Sequence, residues 1–517
     1  MLNKEKKKFD KLLVNGLTRT ERRKVKTKID KMWGTFSQIE SRDPKFAEQL
    51  LYIFITQVEL GYYNVSSADT GVGKTFNIIR KFMKAMIEQK DITELFYVAP
   101  ERIATGETIN DHVRDLTINL AKSGKYLRVM RDPSISQVQT AYATRGEDDI
   151  LFFIMTDALF NNRVDVIKEC ILNYKREGKS FFSFDECHIS ASSTPEMVEI
   201  NNGLGGDSSK CIKFSNIEKI IDISYVYGVS ATLVKEQTEN IGSDRYKEID
   251  FKILKEQLTL MVSGHLPTLW FDKEDDLEVT LIKYFNLVIS AQSVIDACKI
   301  PYKLTDELIP KVTGMIALEQ THPKGESIKD DKHLFIDLMN TITVPRYFDF
   351  DLALDTSKEL RVWRFKDGNI TELDESEKTS NGYVSSDGLV VKMKDSKSKL
   401  KFMVLVGKGA SAMDIPNLNY VLSVRSMTNE YEGEPVITRG VQILGRCRRL
   451  VIPFEKIVKH WEENFPHEIG DCIRYYILVN QYQAMLPDTK YWRAVDKRTS
   501  NKLPSVSDIK THFYNKI

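Results

Sequence analysis

Short apolar runs alternate with longer amphipathic stretches along most of this chain. Leu95-Phe-Tyr-Val98, Ile150-Leu-Phe-Phe-Ile-Met155, Phe181-Phe-Ser-Phe184 and Tyr225-Val-Tyr-Gly-Val229 have the length and composition of buried strands. Between them, Ile78 to Ile87 and Val164 to Tyr174 place apolar side chains at helical spacing. Strands alternating with helices predict a parallel α/β sheet, here over residues 46–245. The same pattern restarts at Thr313-Gly-Met-Ile-Ala-Leu318 and continues through Asp351-Leu-Ala-Leu354, Phe402-Met-Val-Leu-Val406 and Tyr420-Val-Leu-Ser423. It predicts a second α/β domain over residues 309–452.

The remaining segments are less regular. Residues 246–308 read as a mostly helical connector. A polar stretch rich in Ser, Asp, Lys and Gly at 364–400 reads as an insertion, with a hairpin as its simplest form. Residues 453–517 form a C-terminal extension without a recognisable motif. The first 45 residues hold fourteen Lys/Arg against six Asp/Glu, with Leu12, Leu13, Leu17, Val25, Ile29 and Met32 at roughly helical spacing. That N-terminal extension is either a nucleic-acid-contacting arm or a solvated helix, because charge runs are commonly solvated faces.

Composition narrows the class further. The chain of 517 residues carries 74 basic and 73 acidic side chains, a net charge of +1. Any electrostatic footprint for nucleic acid is therefore local. The cysteines Cys170, Cys187, Cys211, Cys298, Cys447 and Cys472 show no C-x-x-C pair and no zinc-like spacing, which points to a reducing compartment. The N-terminus lacks the apolar core of a signal peptide, and no stretch reaches the roughly 18 apolar residues of a membrane span. The expectation is a soluble, cytoplasmic protein with no membrane partner.

Two segments carry chemistry. Ala68-Asp-Thr-Gly-Val-Gly-Lys-Thr75 fits the phosphate-loop pattern except at Ala68, where the general form has Gly. Backbone N–H groups of Thr70, Gly71, Val72 and Gly73 can curl around phosphate oxygens at the start of a helix. Lys74 then neutralises phosphate charge, and the Thr75 hydroxyl is placed to ligate Mg²⁺. Asp185-Glu-Cys-His188 follows the strand Phe181–Phe184. An Asp at the end of a buried strand suits a nucleotide-bound Mg²⁺, and the adjacent Glu186 suits polarisation of the attacking water. The plainer readings are a chance glycine-rich turn and a helix N-cap by Asp185.

These motifs resemble those of superfamily 2 helicases and translocases, in the DExH branch. The loop that begins with Ala and reads Thr-Gly-x-Gly-Lys-Thr is that superfamily's motif I, and Asp-Glu-Cys-His resembles motif II. Ser230-Ala-Thr232 resembles motif III, which with His188 couples nucleotide state to nucleic-acid binding. Gly409-Ala-Ser-Ala-Met-Asp-Ile-Pro416 is similar to motif V, with Asp414 as its acidic residue. Gln442-Ile-Leu-Gly-Arg-Cys-Arg-Arg449 is similar to motif VI. The resemblance implies two tandem RecA-like domains with ATP and Mg²⁺ in the cleft between them. It makes Arg446 and Arg449 arginine fingers, gives Gln442 a contact to the nucleotide or its water, and leaves Arg448 facing solvent or nucleic acid. Weaker matches at Ala99-Pro-Glu-Arg-Ile-Ala104 and Met155-Thr-Asp157 imply nucleic-acid contacts at Pro100, Arg102 and Thr156.

The function so implied is ATP hydrolysis driving a nucleic-acid helicase, acting on DNA rather than RNA. Two further readings are a duplex-DNA translocase subunit of a restriction or viral transcription machine, and an ATP-gated binding scaffold with possible protein partners. No Asp…Glu-x-Lys nuclease cluster accompanies the motifs.

Overall fold

The structure, a computed structural model, describes residues 51–52, 54–67, 74–99, 109–185, 187, 214–230, 245–249, 264–272, 275–318, 331–356, 359–406, 418–424, 430–431, 434–435, 437–448, 450–466 and 468–500. These fall into two compact units, the first ending at 249 and the second beginning at 264 among described residues. The expected N-terminal arm over 1–45 lies outside them.

The first unit is a seven-stranded sheet with helices on both faces. Its strands are β1 (Tyr63–Ser67), β2 (Glu94–Ala99), β3 (Tyr126–Arg131), β4 (Asp149–Thr156), β5 (Ser180–Asp185), β6 (Tyr225–Ser230) and β7 (Tyr246–Glu248). They lie in the order β3-β4-β2-β5-β6-β1-β7, and all six neighbouring pairs are parallel. A parallel sheet is covered on both faces, so its central strands are largely apolar; β2 and β5 are buried at every residue. The edge strand β3 departs from this, with Tyr126 and Val129 exposed.

One face carries Phe96, Val98, Leu151, Phe153, Phe182 and Phe184. It packs on helices α3 (Ile135–Ala143), α4 (Asp157–Asn173) and α5 (Phe214–Ile221). On the other face lies α1, which starts at Lys74–Asn77, widens into a π turn at Ile78–Phe82 and continues as Met83–Lys90. Helix α2 (Asn110–Ala121) packs beside that π turn. Phe82 stacks on Phe54 with ring centroids 4.1 Å apart and meets Tyr227 of β6 edge-on at 6.2 Å. Fully burying a side chain such as Ile78, Ile79 or Phe82 stabilises by roughly 1.5–3 kcal/mol, so the start of α1 is anchored over the sheet. Asp91 ends the helix in the left-handed region, its N–H bonded to the Met86 carbonyl.

The second unit holds a nine-stranded sheet. Its elements are β8 (Gly264–His265), β9 (Leu269–Phe271), α6 (Leu277–Ala297), β10 (Thr313–Leu318), α7 (Asp331–Met339), β11 (Phe350–Asp355), β12 (Leu360–Lys366) and β13 (Asn369–Glu372). They continue with α8 (Glu375–Asn381), α9 (Ser386–Lys394), β14 (Leu400–Val406), β15 (Leu418–Ser423), the separate ribbon β16 (Glu430–Tyr431) and β17 (Glu434–Pro435), and α10 (Thr438–Gly445). Then come α11 (Phe454–Asn464), α12 (Ile469–Val479), β18 (Gln481–Pro487) and α13 (Lys490–Thr499). The order is β13-β12-β11-β14-β10-β15-β18-β8, with β9 also on β18. Among the described pairings of this sheet, only β11/β12 and β12/β13 are antiparallel. On one face Tyr284 and Phe285 of α6 pack on Phe402, and Phe285 also on Phe350 and Phe365; the opposite core gathers α9, α10 and α13.

The fold is α/β with two tandem RecA-like parallel-sheet domains, as the sequence predicts. In the first sheet the acidic strand β5 is separated from the loop-bearing strand β1 by β6. Three segments differ from expectation. The described residues of 246–308 are shared between the units rather than forming a helical connector: Tyr246–Glu248 closes the edge of the first sheet, while β8, β9 and α6 belong to the second unit. The polar stretch at 364–400 does contain a hairpin, turned by Asp367 and Gly368 at φ 52° and 82°, but two helices follow it. Their polar residues serve as caps: Asp374 and Glu377 form a capping box, and Ser385 accepts from the Gly388 N–H. The described part of the C-terminal extension is built into the second unit, where β18 pairs with β15 and β8.

Candidate functional site

The chemistry collects at the C-terminal edge of the first sheet, where open α/β sheets bind ligands. Strand β5 ends on Asp185, β6 ends on Ser230 beside Ser67 of β1, and α1 begins at Lys74. Thr75, half-buried in the first turn of α1, donates its hydroxyl to Asp185 Oδ2 at 2.7 Å. The same oxygen accepts the Tyr97 hydroxyl at 2.7 Å. Tyr97 is fully buried, and Asp185 is 7 % exposed. The loop hydroxyl and the strand carboxylate, 110 residues apart in sequence, are thus adjacent.

This pairing has the donor types that a hard divalent cation takes, one hydroxyl oxygen and one carboxylate, to which phosphate oxygens and water would add the remaining ligands. Among the described residues, no group of three or more His, Cys, Asp or Glu could hold a metal alone. The residues fit a cation that arrives with a nucleotide. Lys74, at the first residue of α1, adds positive charge at the helix N-terminus, where anions are favoured.

A second carboxyl lies beneath the edge. Asp157 opens α4 directly after Thr156, is buried, and has Oδ1 without a hydrogen-bond partner. Burial, and then the negative charge of Asp185, push its carboxyl well above the ordinary carboxylate range. Thr156 is the half-exposed N-cap residue of α4, and its side chain makes no capping bond.

In the second unit, α10 runs from Thr438 to Gly445, and a 3₁₀ turn at Arg446–Arg448 follows. Gln442 lies in α10 with its side chain outside the described residues, and Arg446 is half-buried at the start of the turn. Arg448, expected to face solvent or nucleic acid, is 4 % exposed instead. The turn folds it back under the sheet, where its charge acts on the buried Tyr482 of β18. Gly440 abuts α13: its N–H donates to the Tyr491 hydroxyl at 2.9 Å.

Thr70, Gly71, Val72, Gly73, Glu186, His188, Thr232, Pro100, Arg102, Asp414 and Arg449 lie outside the described residues. Of the sequence-derived site, Lys74, Thr75, Asp185 and Ser230 come together on one sheet edge. The motif reading did not single out Tyr97 or the buried carboxyl of Asp157. The one available signal for Tyr97 is a hydroxyl within the otherwise apolar run Leu95–Val98. Among the described residues, no helix is long and apolar enough to cross a membrane.

No family model and no curated protein matches the chain. Among solved structures, it is similar to S. cerevisiae Dbp5 bound to RNA and ADP BeF3, at 9% identity over 88% of each chain with a TM-score of 0.41. It is similar also to Mycobacterium smegmatis helicase Lhr bound to ssDNA and AMP-PNP, at 11% identity with a TM-score of 0.41, over 94% of this chain but 50% of that one. A fragment of a putative HsdR subunit of a type I restriction enzyme from Vibrio vulnificus matches at 13% identity over 88% of this chain and 65% of that one, with a TM-score of 0.36. At these scores the fold rests on the strand order and the placement of the site.

Proposed function

We propose that the chain is an ATP-hydrolysing nucleic-acid motor, a helicase of the superfamily 2 type acting on DNA rather than RNA. The observation that carries the nucleotide half of this reading is the Thr75 hydroxyl on the Asp185 carboxylate beside Lys74, at the C-terminal edge of a parallel sheet. In this reading, residues 70–75 cradle the phosphates, and Thr75 and Asp185 hold Mg²⁺. When bound, Mg²⁺ supplies charge neutralisation at the phosphates. Glu186 orients and deprotonates the attacking water, while Gln442, Arg446 and Arg449 stabilise the charge that develops on the transferred phosphate. His188, Ser230 and Thr232 link that site to nucleic acid held mainly through its phosphates at Pro100, Arg102 and Thr156. Binding of nucleic acid should therefore weaken with salt.

The test is a phosphate-release panel with single-stranded DNA, duplex DNA and RNA, followed by strand displacement in both polarities. Stimulation by DNA together with strand displacement supports the helicase. Stimulation by duplex without displacement favours a translocase. Turnover indifferent to all three nucleic acids contradicts the motor reading.

A further inference from the structure

We propose that Tyr97 is a positioning residue of the nucleotide site: its hydroxyl holds one oxygen of Asp185 and thereby sets the turn of the carboxylate that would hold the nucleotide-bound divalent cation. This rests on the nucleotide reading above. Tyr97 and Ser183 are partners in the parallel register of β2 and β5, so Tyr97 shares a sheet face with Ser183 and, two residues on, with Asp185. Tyr97 is fully buried, and its ring reaches along that face to place the hydroxyl 2.7 Å from Asp185 Oδ2. The torsion that spins an aspartate carboxylate is broad, so an unrestrained Asp185 would sample many orientations. Thr75 donates to the same oxygen, but its own oxygen is a metal ligand in this reading, and α1 carries it. Tyr97 is not a ligand; it comes from the sheet itself. Both donors converge on Oδ2, so the turn of this carboxylate is set from the sheet as well as from α1.

The experiment uses the full chain with Tyr97→Phe, which keeps the buried ring and removes one hydroxyl. ADP binding is measured by calorimetry with Mg²⁺ and again in EDTA, alongside Asp185→Asn and the double variant. Hydrogen bonds to charged groups have a magnitude that predicts loss of Mg²⁺-dependent affinity on the order of tenfold for Tyr97→Phe. Affinity in EDTA should be unchanged, and the double variant should bind no more weakly than Asp185→Asn, because Tyr97 acts through that carboxylate. Equal loss with and without Mg²⁺, no loss at all, or additive losses in the double variant would each overturn the role of Tyr97. A wild-type protein that shows no Mg²⁺-dependent nucleotide binding overturns the nucleotide reading itself; wild-type binding with an unaffected Tyr97→Phe overturns only the positioning role.

Discussion

Replacing Gly440 by Ala sets two effects against each other, and the structure decides which prevails. Alanine favours a helix over glycine by up to about 1 kcal/mol, so α10 considered alone predicts a stabilised variant. A Cβ at Gly440, however, would sit 2.6 Å from Val495 Cγ2, 3.0 Å from the Tyr491 hydroxyl and 3.1 Å from Trp492 Cζ3. All three partners are buried in α13, and Val495 and Trp492 are fully so. None is the free end of a flexible chain that could swing aside, so the helices must part. Overpacking of this kind costs about 1–3 kcal/mol. Parting them also stretches the 2.9 Å bond from the Gly440 N–H to Tyr491, which contributes about 0.5–1.5 kcal/mol. The net expectation is destabilisation by about 1–3 kcal/mol. Urea unfolding reports it directly, and thermal melting should fall by about 2–4 °C for each kcal/mol in a unit of this size. A Gly440→Ala protein more stable than wild type would refute the close packing of α10 on α13.

Other perturbations test separate parts of the account. Asp157→Asn should raise the melting temperature at neutral pH. The Asp157 carboxyl is held above its ordinary value of 3.8, so its contribution is complete below that value and is lost as pH rises through the folded value; a gain equal at pH 4 and pH 7.5 would contradict this. Lys311→Met should destabilise by about 3 kcal/mol or more, since Lys311 Nζ donates to the carbonyls of Lys392, Asp395 and Ser398 at 3.1, 3.0 and 2.7 Å. Burial lowers Lys311 from 10.5 to about 8, so the unfolded chain binds more protons between those values. Wild-type stability should accordingly rise by up to about 3 kcal/mol from pH 8 to 10.5 on account of this group, a slope missing from Lys311→Met in denaturant titrations. Glu186→Gln should bind Mg²⁺ and ATP but release no phosphate, and turnover near wild type would remove Glu186 from the assigned role.

Legibility followed burial. Strands buried on both faces were visible as apolar runs, and their observed bounds extend the predicted ones by a residue or two: Ser180–Asp185 for 181–184 and Phe350–Asp355 for 351–354. The edge strand β3 was not visible: it reads Tyr-Leu-Arg-Val-Met-Arg because its outer side faces solvent. Nor was the interior strand β18, which carries two glutamines and ends on proline. The helices in 364–400 were hidden because polar caps define them, with little apolar face between. Asp351 shows why a polar stretch can still be fixed in place. Arg364 grips both its oxygens at 2.9 Å, and Tyr383 donates at 2.9 Å, joining that segment to β11. At the site, Lys74, Thr75 and Asp185 were legible because short motifs carry them. Tyr97 was not, because a tyrosine in an apolar strand looks like core until the neighbouring strand places Asp185 beside its hydroxyl.

The central claim is that the sheet edge at Lys74, Thr75 and Asp185 hydrolyses a Mg²⁺-bound nucleoside triphosphate. Steady-state phosphate release from ATP by the purified wild-type chain, beside Lys74→Ala, tests it most directly. The account predicts Mg²⁺-dependent turnover in the wild type and its loss in Lys74→Ala; near-normal turnover in Lys74→Ala, or none in the wild type with any nucleic acid present, would contradict it.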